Sequence, residues 1–298
     1  MALLAIVLPR PASRAGDVEV DSARYQDPTI ELPELATAPS VDRSTEPLWL
    51  EALARPEVDL KRQAAQTIAL AHQRGMPGLA DTAAPLVAAL DAPDQHPVVM
   101  RAAAHALVVL DARQAADRLL EHAMRDGLEM AQLVEPALAR WDYGPVRKVW
   151  LQRLSTPSTP RRRLVLAIRG LAVVGETKAE PRLRELALAL DVTPDIRLEA
   201  GQALGKLRTE GLEEHARRAA EDKSPRKIVD RLVAASLLAG HRGEVAQTLL
   251  AELALDGEPS VAAIALKRLL EIDPMLVIPI AKPTIGNADA NVRRLGAQ

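Results

Sequence analysis

The chain of 298 residues contains no cysteine and no phenylalanine, and only Trp49, Trp141, Trp150, Tyr25 and Tyr143 are aromatic. Without thiols there is no disulfide framework, no thiolate nucleophile and no cysteine-ligated zinc. Without phenylalanine and with so few rings, the core must be built from Leu, Val, Ile and Ala, and the β-branched and aromatic enrichment of strands is missing. A net charge of −2 gives no global pull toward nucleic acid or an anionic membrane. Nor does any apolar run approach the roughly 18–20 residues a membrane span requires. The apolar start Met1–Leu8 is short and lacks a basic leader, although Ser13 and Ala15 would suit cleavage after Ala15. Residues 1–15 are therefore signal-like, and localisation stays open between export to the periplasm and the cytoplasm.

What is present is a repeat. Asp-x-x-Pro recurs at Asp94–Pro97, Asp191–Pro194, Asp222–Pro225 and Asp256–Pro259. The steps between the aspartates, 97, 31 and 34 residues, are multiples of about 32, the period of stacked two-helix units. First helices of each pair are predicted to begin near Val58, Pro97, Met130, Pro160, Pro194, Pro225, Pro259 and Ala290, after a short opening helix over 46–54. Thr159, Thr193 and Ser224 precede a proline at the first helical position and are expected to cap with their hydroxyls. Within 194–207, Ile196, Ala200, Ala203, Leu204 and Leu207 share one helix face. Gly75, Gly127, Gly175, Gly211 and Gly257 fall where helices should end. The Gly170–Thr177 stretch has phosphate-loop spacing, but Glu176 replaces the lysine and no strand precedes it, so Gly175 reads as a helix cap.

The string Pro194-Asp-Ile-Arg-Leu-Glu-Ala-Gly-Gln-Ala-Leu-Gly-Lys-Leu207 resembles a HEAT repeat of the short bacterial kind also found in bilin-lyase-type proteins. Weaker copies are Pro97-Val-Val-Met-Arg-Ala-Ala-Ala-His-Ala-Leu107 and Asp289-Ala-Asn-Val-Arg-Arg-Leu-Gly-Ala-Gln298. The resemblance covers roughly 58–298. It implies an all-α, right-handed superhelical solenoid of the armadillo type: about seven HEAT-like helix pairs plus a partial C-terminal helix over 46–298. An extended, partly disordered arm is expected over 1–45. In such a solenoid the concave side is expected to be built from the second helices of the pairs. An array that ends on an uncapped pair is expected to be less soluble or to make end-to-end contacts.

Function is read from the unit that departs from the pattern. Residues 144–175 carry Arg147, Lys148, Arg153, Arg161, Arg162, Arg163 and Arg169 with no acid, next to Trp141, Tyr143 and Trp150. Arginine and large aromatics dominate protein–protein hot spots. We therefore expect a non-catalytic scaffold with Trp141, Tyr143, Arg147, Lys148, Trp150, Arg153, Arg161, Arg162 and Arg163 as the partner-binding residues. The bland alternative is that the rings fill a degenerate repeat while the arginines line a solvated face. The same stretch would also suit a nucleic-acid-binding module, since basic residues interleaved with rings can hold phosphates and stack bases. A third reading is a HEAT-like enzyme. Trp141, Asp142 and Tyr143 supply the residue types, though no motif, of alkylpurine DNA glycosylases, and the bilin-lyase resemblance would imply a chromophore.

Glu121-His122 and Glu214-His215 reverse the His-Glu order that binds iron in deoxyhypusine hydroxylase, so they read as solvated helix-face pairs. No catalytic set, cofactor site or metal site is assigned, and no nucleophile-elbow string occurs. Finally, residues 17–59 hold eleven acids against Arg24, Arg43 and Arg55, so that arm could shield a basic surface.

Overall fold

The computed structural model describes residues 43–298; the expectations for the arm, the signal-like start and most of the acidic 17–59 stretch lie outside the described residues. The remainder, Ser44–Gln298, forms one compact unit. Among the described residues the secondary structure is helical throughout, with no strand. The α-helices are α1 (Glu46–Ala54), α2 (Val58–Gln73), α3 (Ala83–Asp91), α4 (Pro97–Val109), α5 (Ala116–Arg125), α6 (Gly127–Arg140), α7 (Gly144–Ser155) and α8 (Arg161–Val173). They continue with α9 (Glu180–Leu188), α10 (Pro194–Leu207), α11 (Glu213–Ala220), α12 (Ile228–Leu237), α13 (Glu244–Ala254), α14 (Pro259–Ile272), α15 (Ala281–Ile285) and α16 (Ala290–Gly296).

The predicted helix starts at Val58, Pro97, Pro194, Pro259 and Ala290 coincide with observed ones, as does the opening helix α1. At Pro225 the chain first makes a 3-10 turn and becomes α-helical only at Ile228. The helix predicted from Met130 begins at Gly127. The expected hydroxyl caps do not form: Thr193 and Ser224 make no side-chain hydrogen bond to the first turn of the helix that follows. Instead the Ser224 N–H donates to Asp222 Oδ1, and the Thr159 hydroxyl donates to the Arg153 carbonyl, both at 2.8 Å.

The helices stack in two rows. Each odd-numbered helix packs most closely on the even-numbered helix after it, across the turn that carries Asp-x-x-Pro in four of the units. The repeating hairpin is therefore a second helix, its turn and the next first helix, half a unit out of step with the pairing read from the sequence. Along the even row every helix packs on the next, from α2 to α16; among the odd helices only α1 with α3 and α11 with α13 share more than marginal contact. Among the described residues no close contact joins helices far apart in order, so the apolar core is a continuous strip passed from neighbour to neighbour, as in a solenoid.

Small side chains make the even row tight. Ala64, Ala65 and Ala69 of α2 and Ala102, Ala103 and Ala106 of α4 are all buried, and alanine lets helix axes approach to about 8–10 Å. The first four even helices also end alike. Gly75, Asp111, Asp142 and Gly175 occupy the left-handed position after α2, α4, α6 and α8, each φ lying between +53° and +84°. The next amide then reaches back five residues, as in Met76 N–H to Ala71 O and Tyr143 N–H to Leu138 O, both at 3.0 Å. A non-glycine residue there costs about 1–2 kcal/mol, so Asp111 and Asp142 are held by something beyond their own backbone.

Candidate interaction groove

Trp150 is fully buried, and its Nε1 donates to Glu135 Oε2 at 2.9 Å. Its ring lies under α8 at Gly170, where an added Cβ would come within 2.7 Å of the indole. Trp141, also buried, donates its indole N–H to Asp111, and the Tyr143 hydroxyl donates to Asp117. Burial and the Asp117 carboxylate push the Tyr143 phenol up to about 12. The rings sit at the joints between units; Trp150, with no exposed area, cannot meet a partner, which corrects its reading as a contact residue, whereas Trp141 keeps a thin exposed edge and Tyr143 is half-buried. The Trp141 bond also explains the left-handed Asp111, whose carboxylate is engaged one repeat away.

The arginines divide. Arg153 Nη1 sits 2.7 and 2.9 Å from the two oxygens of the buried Glu135. Arg163 donates to the carbonyls of Ala123 at 2.9 Å and Gly127 at 3.0 Å, closing the end of α5. Burial and the neighbouring Arg153 push its guanidinium below its ordinary value. Arg147 bridges Asp142 and Glu176. Arg161 Nε reaches Asp195 Oδ2 at 2.5 Å, and Arg169 Nε reaches Glu199 Oε2 at 2.9 Å, both from α8 to α10. Burial opposes ionisation of Asp195, but hydrogen bonds from Arg161 and Thr193 outweigh it and hold the carboxyl below the usual range. Only Lys148 and Arg162 of the predicted set are exposed without a hydrogen-bond or ion-pair partner.

A different surface emerges across α6, α8 and α10. A cleft of about 530 Å³ between α6 and α8 is lined by Ala139, Arg140, Leu166, Gly170 and Val173, with Gln132 and Arg169 beside them. A second depression between α8 and α10 shares Arg169 and Val173 with the first and adds Gln202, Ala203 and Lys206. A third, around Arg161 and Arg162, shares Leu166 and Arg169. Together they make one groove running across three parallel helices of the even row, not along the second helices to which the sequence assigned the concave side. Val173 is 61% exposed at its centre. Sequence reasoning missed Arg140, Val173 and Lys206, although their spacing of 33 residues is the repeat period.

Charge on this row is one-sided once pairs are removed. All seven acids in its helices, Asp59, Glu129, Glu135, Asp195, Glu199, Asp230 and Glu271, are ion-paired to an arginine. Arg140, Arg162 and Lys206 remain without an acidic partner at the groove, Arg140 making only a 3.4 Å contact to the Pro136 carbonyl. On the odd row, by contrast, Glu244 and Glu252 are exposed and unpaired.

His122 is a correction of another kind. It is buried, not solvated, with Nδ1 2.5 Å from Asp126 Oδ2 and Nε2 2.8 Å from Asp91 Oδ1, so it ties α5 to the end of α3. Hydrogen bonds from Arg125 and His122 hold Asp126 below the ordinary carboxyl value against burial. For Asp91, burial opposes ionisation, but hydrogen bonds from Arg118 and His122 outweigh it and lower the value. A carboxyl lowered in the folded state adds stability above its unfolded value, about 3.9, and loses it as pH falls through the folded value. Thermal melts of the Asp91→Asn/Asp126→Asn variant should therefore show a flatter decline below about pH 4 than the parent. An unchanged acid limb would contradict the clamp. Among the described residues no group of three His, Cys, Asp or Glu side chains is placed to hold a metal ion, both His122 nitrogens being taken by its carboxylates, and no helix is long and apolar enough to cross a membrane. Comparison with family models and with curated proteins gives no match.

Proposed function

We propose that the chain is a non-catalytic protein-interaction scaffold, a HEAT-like solenoid that holds a segment of a partner protein in the α6–α8–α10 groove. The observation that carries this reading is the groove itself: an apolar floor with Val173 exposed at its centre, walled by cross-helix ion pairs and open along its length. An apolar floor with a few charged groups at its walls is the usual lining of a binding cleft. The nucleic-acid reading retains the surplus cations of the even row but has lost the two indoles, Trp141 and Trp150, on which bases would stack. The glycosylase-like reading needs Trp141, Asp142 and Tyr143 free, and all three are engaged within the array.

The test is a photo-crosslinking side chain at position 173, compared with one at exposed position 148 on α7. Crosslinks to defined protein segments from position 173, absent from 148 and abolished by Arg140→Glu, are the expected result. Equal yields from both positions would overturn the assignment.

A further inference from the structure

The groove has a register, and the register defines a ligand. Arg140, Val173 and Lys206 stand near the C-terminal ends of α6, α8 and α10, at steps of 33 residues. The helices run in the same direction, as the ion pairs Arg161–Asp195 and Arg169–Glu199 show by rising together along α8 and α10. The three side chains therefore form one rung crossing the groove: cation, apolar, cation. Ala139, Arg140 and Val173 line the first depression together, and Val173, Ala203 and Lys206 line the second, which places Val173 between the two cations.

Neighbouring helix axes lie about 8–10 Å apart, so the rung repeats at that interval. A polyproline II strand advances about 3.1 Å per residue with three residues per turn, so every third side chain recurs on one side after about 9 Å. An extended β-strand shows alternate residues on one face at about 6.6 Å and falls out of step. The polyproline II backbone also keeps its peptide groups in solvent, which suits a groove floor that is mostly apolar. Gln202, exposed one helical turn before Lys206, offers an amide to such a backbone.

We infer that the groove recognises an acidic segment in polyproline II conformation, with the pattern acid-x-x-apolar-x-x-acid, its acids meeting Arg140 and Lys206 and its apolar residue seated on Val173. This deepens the scaffold reading and rests on it. The charge count carries the choice of partner: every acid on the even helices is already paired, so only cations are left to satisfy. A nucleic-acid strand fits poorly. Over the roughly 20 Å from Arg140 to Lys206 each strand of a duplex would bring about six phosphates, one per 3.4 Å of helix axis, against two cations with a valine between them.

Selection of short random peptides on the full chain separates the outcomes. Enrichment of acids three positions either side of an apolar residue supports the inference. Enrichment of a basic or unpatterned consensus sinks the inference but leaves the groove a protein-binding site. No enrichment at all overturns both. The labelled peptide Glu-Pro-Pro-Leu-Pro-Pro-Glu should then bind at low salt, and about tenfold more tightly than Glu-Leu-Pro-Pro-Pro-Pro-Glu, which has the same composition out of register. Val173→Glu and Lys206→Glu, both on exposed positions, should each weaken it by about tenfold, with far-ultraviolet circular dichroism unchanged. Equal affinity for the two peptides, or tighter binding of a single-stranded oligonucleotide, would refute the register. Self-association that disappears in Val173→Glu would instead give the groove to a second copy.

Discussion

Replacing Glu135 by alanine is expected to destabilise the array by about 3–5 kcal/mol, although the residue sits at the floor of the groove almost shut off from solvent. Its carboxylate is 1% exposed and accepts the Trp150 indole N–H and both contacts from Arg153. Without it, a largely buried guanidinium loses its counter-charge and an indole N–H loses its acceptor. Each such orphan costs far more than an ordinary hydrogen bond returns. Arg163, 3.9 Å away, is less affected because its guanidinium keeps the Ala123 and Gly127 carbonyls. Urea unfolding is the measurement. A fall in midpoint at constant slope means loss of whole-array stability; a reduced slope means that α6–α8 melts on its own, which nearest-neighbour stacking permits. Glu135→Met combined with Arg153→Met should recover much of the loss, because replacing both members of a buried pair by apolar groups is often close to neutral. A single-variant cost under about 1 kcal/mol would mean that water, not the carboxylate, solvates Arg153.

That cluster also shows where the sequence misleads. Trp150, Glu135 and Gly170 are separated by 15 and 20 residues, and nothing in the spacing announces that a ring, a carboxylate and a missing side chain share one cavity. The segment 144–175 read as a patch of one charge because its counter-charges lie outside it: Glu135 about half a repeat before its partner Arg153, and Glu176, Asp195 and Glu199 about a repeat after theirs. In a stacked array, charge must be counted across the period. The same holds for His122, whose partners Asp91 and Asp126 are 31 residues back and 4 forward.

The helical grain, by contrast, was readable. A proline at the first helical position, a glycine in the left-handed turn and a 3.6-residue apolar period act within a few residues, and they located Pro97, Pro194, Pro259, Gly75 and Gly175. Asp111 and Asp142 escaped notice because the same turn geometry is held there by through-space bonds to Trp141 and Arg147. The groove escaped for a similar reason. Arg140, Val173 and Lys206 are unremarkable singly, and they become a surface only when the even helices line up.

Gly205→Ala is expected to cost about 3 kcal/mol or more, the upper end for overpacking, and to cut the array's cooperativity at one joint. A Cβ on Gly205 would lie 2.2 Å from the Ser236 carbonyl oxygen and 3.0 Å from that of Leu237. Both are backbone atoms at the end of α12, so no side chain can turn away, and the two helices must separate. The approach is reciprocal, since a Cβ on Gly240 would meet the Gly205 oxygen at 2.4 Å and the Arg208 oxygen at 2.6 Å. Alanine's better helix propensity, about 1 kcal/mol, offsets only part of that strain. One turn earlier on the same face, a Cβ on Gly201 would find Val233 and Ser236 at 3.5 and 3.6 Å, ordinary contact distances. Gly201→Ala should therefore be neutral or slightly stabilising, and the pair isolates backbone collision from any general effect of losing a glycine. Because each hairpin is held by its neighbours, prying α10 from α12 should let the helices beyond the joint open on their own. Amide exchange in α12–α16 of Gly205→Ala should then outpace exchange in α2–α8, whereas the parent and Gly201→Ala exchange both halves together. Uniform acceleration through the whole array would show instead that the joint is not a boundary and that stability is shared along the entire even row.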